Sequence, residues 1–237
     1  MMKKLINYFF YKYRNFLVFI YYTAKPKKLN PIAYLINYKE KKAKKFIENI
    51  KELKNHLNLL NEKSNSTGVQ YKDHQLLYES VLKYKPKYVL ELGSGVSSTT
   101  IAYALKINKE LHNIDGKLIS LEENSFYHNE VKNITDKFLS KFIDFRFSKR
   151  KTRTFNKIHG CYYDQIPNYD YDIIFIDGPT LRGIPDDFSQ NKAFNADILN
   201  ILSNNNYVPK LIILDKRIDT MWSLKKCLPE TTIKYYP

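Results

Sequence analysis

Four short apolar runs, each closed by an acidic residue or a glycine turn, constrain the fold of this chain more than any other feature. They are Tyr88 to Leu92, ending in Gly93-Ser94-Gly95; Lys117 to Leu121, ending in Glu122-Glu123; Asp172 to Ile176, ending in Asp177-Gly178-Pro179; and Lys210 to Leu214, ending in Asp215. A fifth run, Phe142 to Phe147, lies between the second and the third. Short apolar runs separated by helix-length stretches predict strands buried on both faces and alternating with helices. The expected fold is therefore α/β: a Rossmann-like, mostly parallel sheet flanked by helices and joined by right-handed crossovers. In such sheets the ligand sits beyond the carboxyl ends of the strands. Glu122, Asp177 and Asp215 all stand there.

The chain has 237 residues, 43% of them hydrophobic and 27% charged, which is enough for a core and excludes disordered, collagen-like and coiled-coil classes. Two cysteines, Cys161 and Cys227, make no disulfide framework and lack C-x-x-C spacing. A reducing, cytoplasmic compartment fits them. Asn65-Ser66-Thr67-Gly68 marks a boundary between a basic, aromatic-rich helical extension (1–67) and the domain that carries the sheet (68–237). Within the extension, Phe46, Ile50, Leu53, Leu57 and Leu60 recur at helical spacing and predict one helix from about Ile32 to Glu62.

The net charge of +15 is uneven: residues 1–70 hold 15 basic and 4 acidic side chains. It is also built from 33 Lys and only 6 Arg, whereas Arg is the side chain suited to bidentate phosphate and base recognition. Nucleic acid is thus the weaker reading of the charge. Leu5 to Tyr22 is apolar and aromatic, but Lys12, Arg14 and Asn15 interrupt it, which argues against a spanning helix. No small-residue cleavage site follows, which argues against a signal peptide. Flanked by Lys3, Lys4, Lys25, Lys27 and Lys28, residues 1–28 suit peripheral contact with the inner face of an anionic membrane. The other reading packs them on the domain or against a second subunit of a homo-oligomer.

The first strand leads through Gly93-Ser94-Gly95 into Ser97-Ser98-Thr99, which can cap a helix. Glycines there let a ligand approach the backbone closely. Glu122 follows Gly95 by 27 residues, at the end of the next strand, where a carboxylate can accept both ribose hydroxyls. The pattern suits an adenosine-containing cofactor without separating a dinucleotide from S-adenosylmethionine.

Taken in order, Val89 to Gly95, Ile119 to Glu122 and Tyr171 to Pro179 resemble the class I S-adenosylmethionine-dependent methyltransferases over roughly Gly68 to Pro237. The resemblance implies S-adenosyl-L-methionine as cofactor. Glu91, Gly93, Ser94 and Gly95 would surround its methionine end, Glu122 would hold the ribose, and Ser148 would sit at the adenine edge. It also implies that Asp177 lies at the mouth of the methyl-transfer site. Relatives acting on nucleobase amines carry Asn/Asp-Pro-Pro-aromatic after the fourth strand; this chain has Asp177-Gly178-Pro179-Thr180, which argues for a hydroxyl acceptor. Metal-dependent catechol-type relatives place carboxylates after strands four and five, followed by Asn. Asp177 and Asp215 match, but Lys216 replaces the Asn, which argues against a divalent metal. Only Thr231 to Tyr236 follows as a further strand, so the N-terminal helices or a partner are expected to cover the sheet edge.

Asp177 is the expected catalytic base, with His159 as the alternative and His74 behind it. Arg150 and Arg153, in a basic segment from Arg146 to Lys157 read as a loop, and Arg182 beyond Asp177 are candidates for binding an acidic acceptor. The expected activity is O-methylation of a small molecule or glycan, acidic or phosphorylated and related to surface-polysaccharide synthesis. Two alternatives stand beside it: an RNA methyltransferase using the basic arm, and a non-catalytic S-adenosylmethionine-binding interaction protein.

Overall fold

The computed structural model describes residues 31–63, 70–155, 158–182, 193–204, 207–215 and 217–228. Residues 1–28, expected to contact a membrane, the boundary around Ser66, Lys216 and the strand expected at Thr231 to Tyr236 lie outside these.

The apolar runs form β1 (Tyr88–Leu92), β2 (Lys117–Glu122), β3 (Ile143–Phe147), β6 (Ile173–Ile176) and β8 (Leu211–Leu214). They make one parallel sheet in the order β3-β2-β1-β6-β8. Alternation along the strands divides the core. Val89, Leu118, Ile173 and Phe175 face one layer, while Leu90, Leu92, Ile119, Leu121, Ile174 and Ile176 face the other. All ten are buried, none more than 1% exposed, so both faces exclude water. Successive strands step one way from β1 to β3, then the chain returns to the other side of β1 with β6. The switch point where the loops part therefore lies above β1 and β6.

One face is covered by α1 (Pro31–Asn49), α2 (Lys51–Lys63), α3 (Tyr71–Tyr84) and α4 (Val96–His112). The expected single helix is two, because the chain bends at Ile50 without Pro or Gly. Helix α1 packs on α3 and α2 on α4, and Leu53, Leu57 and Leu60 join the same core as Val89 and Leu118. The described part of the N-terminal region thus lies in the helical layer. Glu40 of α1 accepts the amide N–H groups of Tyr71 and Lys72, and so satisfies two orphan donors at the start of α3. Pro86 ends α3 after Lys85 takes the left-handed conformation.

The other face carries an element that was not expected. The basic segment read as a loop is β4 (Arg150–Phe155), which forms an antiparallel hairpin with β5 (Ile158–Tyr163). A short β7 (Phe194–Asn195) joins β5 in parallel to complete a second sheet. Ile158, Tyr163 and Phe194 bury against Leu90, Leu92 and Ile176, so the hairpin is part of the core. Two helices, α7 (Asp197–Asn204) and α8 (Ile218–Cys227), complete this layer through Ile198 and Leu224. On the β2–β3 crossing stand α5 (Ser125–Ile134) and the short α6 (Lys137–Ser140), capped by Asn124 and Asp136 side chains.

Candidate functional site

The turn after β1 is held from beneath by a carboxylate. Glu91 is fully enclosed and receives hydroxyl hydrogen bonds from Ser97 (2.6 Å), Ser120 (2.6 Å) and Ser98. Ser98 Oγ also accepts the Gly95 N–H at the N-cap of α4, and Ser94 Oγ meets Ser120 Oγ at 2.7 Å. One buried side chain thereby ties β1, β2 and the first turn of α4 together. Burial outweighs the three donors and lifts Glu91 to about 7. Its role here is to shape the Gly93-Ser94-Gly95 turn from inside.

Gly93 has φ 100°, a conformation that favours glycine. A Cβ placed on it would lie 2.7 Å from the Gly178 nitrogen; one on Gly178 would lie 2.5 Å from the Tyr163 hydroxyl and 2.8 Å from Gly93 Cα. The two strand-end loops therefore touch backbone to backbone, and the switch point is lined by main chain. This close contact requires glycine at both positions.

Glu122 ends β2 beside that turn and is buried. The Asn124 N–H donates to its Oε1 at 2.9 Å, and the Ser94 amide also supports its charge. Burial still raises it to about 7, with Glu123 next to it adding to the rise. Glu123 itself is a strap: its oxygens accept the Tyr163 hydroxyl (2.7 Å) and the Thr180 N–H (2.8 Å), which joins the second sheet to the loop after Asp177.

Asp177 lies across β1 from Glu122, at the end of β6, with its main-chain N–H bonded to the Leu92 carbonyl. Its side chain is 36% exposed. Desolvation first, then Asp215, raise it to about 7, while Arg217 pulls the other way. Arg217 Nη2 is 3.5 Å from Asp177 Oδ1. The guanidinium is fixed by Nη1, which donates to Asn195 Oδ1 at 2.9 Å and to the Pro179 carbonyl at 3.3 Å. Asn195 is fully buried, and its Nδ2 donates to the Gly178 and Pro179 carbonyls at 3.0 and 2.8 Å. Thr220 closes the network with its hydroxyl on Asn195 Oδ1 and the Asn195 N–H on that hydroxyl. The turn that carries Asp177 is thus clamped from the β7 side.

The other expected residues fall in distinct places. Ser148 is buried just after β3: its N–H donates to the Glu122 carbonyl, and its hydroxyl accepts the Gln165 N–H. His159 lies on β5 opposite Thr154, in the second sheet and not at the ends of the five parallel strands. His74 is buried on α3, with Nδ1 2.7 Å from Thr100 Oγ1, and burial pushes it down to about 4. Arg150 donates to the carbonyls of Thr180 and Arg182, which braces the loop after Asp177 from the hairpin. Arg153 stacks over Phe155 with its carbon 4.3 Å from the ring centroid and donates to Asn200. Arg182 is exposed on the loop five residues past Asp177.

Arg217, Asn195 and Glu123 were not picked out from the sequence. Arg217 carried a signal, being one of 6 Arg and placed two residues past Asp215. Asn195 carried none, since it reaches the site only through the second sheet.

Among the described residues no group of three or more His, Cys, Asp or Glu side chains converges as a metal site. Asp215 is near enough to raise Asp177, yet a guanidinium already supplies the positive charge beside Asp177. That donor set does not fit a divalent ion. An adenosyl group fits better: a turn lined by main chain lies beside a buried carboxylate at the end of the next strand.

The sequence matches no family model and no curated protein. Solved structures that align with it include a methyltransferase from Geobacter sulfurreducens, at 16% identity and a TM-score of 0.35 over 50% of this chain and 55% of that one. A Podospora anserina methyltransferase bound to S-adenosylhomocysteine aligns at 13% identity and a TM-score of 0.37, over 52% and 48%. An O-methyltransferase of tomaymycin synthesis from Streptomyces achromogenes, in complex with S-adenosylmethionine, aligns at 15% identity and a TM-score of 0.33, over 53% and 52%. The chain therefore spans about half the length of each of these structures.

Proposed function

We propose that this protein is an S-adenosylmethionine-dependent O-methyltransferase. The observation that carries the reading is the pairing, across β1, of buried Glu122 beside the Gly93-Ser94-Gly95 turn with Asp177 at the end of β6. The cofactor supplies an electrophilic methyl group on a sulfonium. Glu122 accepts the ribose hydroxyls, and the turn receives the amino-acid end against its backbone. The carboxylates around the crevice favour a cationic ligand.

Asp177 is placed to accept the proton of an acceptor hydroxyl. Oδ1 faces Arg217, which leaves Oδ2 for that proton, and a carboxyl raised to about 7 suits a general base near neutral pH. Orientation of the hydroxyl does the rest, since well-aligned intramolecular reactions reach effective molarities of about 10⁵–10⁸ M. The acceptor is a small molecule or glycan related to surface polysaccharide. An acidic group on it is held away from Glu122, Glu123 and Asp215, on the Arg182 side of the crevice, because like charges at close range repel.

Calorimetric titration of S-adenosylmethionine and S-adenosylhomocysteine tests the cofactor. Wild type should bind in the micromolar range, and Glu122→Ala should bind at least about tenfold more weakly, which corresponds to about 1.4 kcal/mol. A folded wild-type protein that binds neither compound would rule this reading out.

A further inference from the structure

The first 47 residues contain twelve Lys and Arg and a single acidic side chain, Glu40. Glu40 is turned away from the outer face of α1, because both of its carboxylate oxygens accept the amides of Tyr71 and Lys72. Helix α1 buries Ala43 and Ile47 against its neighbours. At 100° per residue, Lys41, Lys45, Tyr38 and Lys42 fall on the opposite side, and all four are exposed, Tyr38 by 56%. Lys41, Lys42 and Lys45 have no acidic neighbour within ion-pair distance among the described residues. The basic side chains of the hairpin region differ in this respect. Arg146 pairs with Asp144 and Lys151 with Asp164, while Arg150 and Arg153 are engaged by carbonyls and Asn200. The outer face of α1 from Tyr38 to Lys45 is therefore a cationic row with an aromatic ring in it, and Glu48, a turn further on, pairs with Lys44.

We propose that this face of α1 docks on an anionic lipid bilayer and holds the domain at the membrane surface. Clusters of several Lys near the surface attract anionic leaflets, and each such charge adds to binding. Lysine is a compact point charge suited to a diffuse layer of headgroups, whereas base and backbone readout in nucleic acids favours Arg. Arg14 is the only Arg before Arg146. The aromatic stretch Leu5 to Tyr22, a short way upstream, has the Tyr and Phe content of interfacial segments. The inference is independent of the proposed catalytic activity.

The test is sedimentation of the full chain with vesicles of phosphatidylcholine, with and without about 30 mol % phosphatidylglycerol, at low and moderate salt. Wild type should sediment with the anionic vesicles and not with the neutral ones. Lys41→Glu/Lys42→Glu/Lys45→Glu should weaken that partition at least about tenfold while S-adenosylmethionine binding is unchanged. Equal partition of the triple variant, or equal binding to neutral vesicles, would overturn the proposal. So would preference for a single-stranded RNA oligonucleotide over the vesicles. Should the triple variant fail to fold, salt decides: wild-type partition must fall steeply between about 50 and 300 mM, and an unchanged value overturns the proposal.

Discussion

Asp177 is set by its neighbours in opposing directions, and that makes it testable at the level of one side chain. Burial and Asp215 raise it, whereas Arg217 lowers it, with the outcome at about 7. A general base must be ionised, so kcat/KM should rise with pH to a plateau with its limb near 7. Asp177→Asn should lower the rate by about 10²–10⁴-fold. Arg217→Gln removes a cation that favours the carboxylate, so the limb should move to higher pH. A pH–rate profile of both variants checks this, and a limb that stays put in Arg217→Gln would exclude Arg217 from the role. The orientation of Arg217 is imposed by Asn195 and Pro179. Its influence on Asp177 is therefore fixed in the folded chain.

At the level of elements, the crevice depends on two loops meeting without side chains. Gly178→Ala would drive a methyl group to within 2.5 Å of the Tyr163 hydroxyl and 2.8 Å of Gly93 Cα. The Tyr163 ring is locked by burial and by its bond to Glu123, so it cannot simply swing away. Overpacking of this kind costs about 1–3 kcal/mol. In a domain of this size that lowers Tm by about 2–4 °C per kcal/mol. S-adenosylmethionine binding should weaken as well, because the turn after β1 must shift. Thermal melts and calorimetry on the variant decide it; an unchanged Tm with intact binding would mean that the loops are not in contact. The same scale shows what was legible in the chain. Four of the five core strands were, because runs rich in Val, Leu and Ile between helix-length stretches have few other places to go, and β3 was marked by its alternating Ile143, Phe145 and Phe147. Glu122 and Asp177 were legible with them, since a strand end marks its own last residue. The β4–β5 hairpin was not, because Arg150-Lys151-Thr152-Arg153-Thr154 presents exposed polar side chains that look like a solvated loop. Its partner β7 has only two residues, too few for any period. Asn195, and the clamp it makes on Gly178 and Pro179, depend on that pairing and stayed hidden with it.

The whole molecule gathers several carboxyl groups that prefer to be protonated when folded. Glu91, Glu122 and Asp177 are raised to about 7, and Asp197, fully buried at the start of α7, to about 8. In the unfolded chain these groups ionise near 4. Their contribution to stability is complete below that pH and is lost as the pH rises through 7 to 8. His74 acts in the opposite sense. Held near 4 by burial, it stabilises above about 6.5, and that contribution is lost as the pH falls toward 4. Below about 6.5 the two trends oppose each other, while above it only the carboxyl groups change. Melting temperature should therefore fall between pH 6.5 and 8.5. Asp197 isolates one contributor, because Oδ1 accepts the Tyr163 N–H at 2.7 Å while Oδ2 is buried without a hydrogen-bond partner among the described residues. Asn at this position keeps the acceptor and cannot ionise. Relative to wild type, Asp197→Asn should gain about 2–3 kcal/mol between pH 6 and 9, or about 4–12 °C in Tm. Parallel Tm curves for the two proteins would show that Asp197 does not carry the effect, and a wild-type Tm that climbs from pH 6.5 to 8.5 would overturn the sign. The clustering of such costly groups around one crevice follows from what they surround. A cationic ligand offsets the desolvation that raises the Glu122 and Asp177 carboxyls.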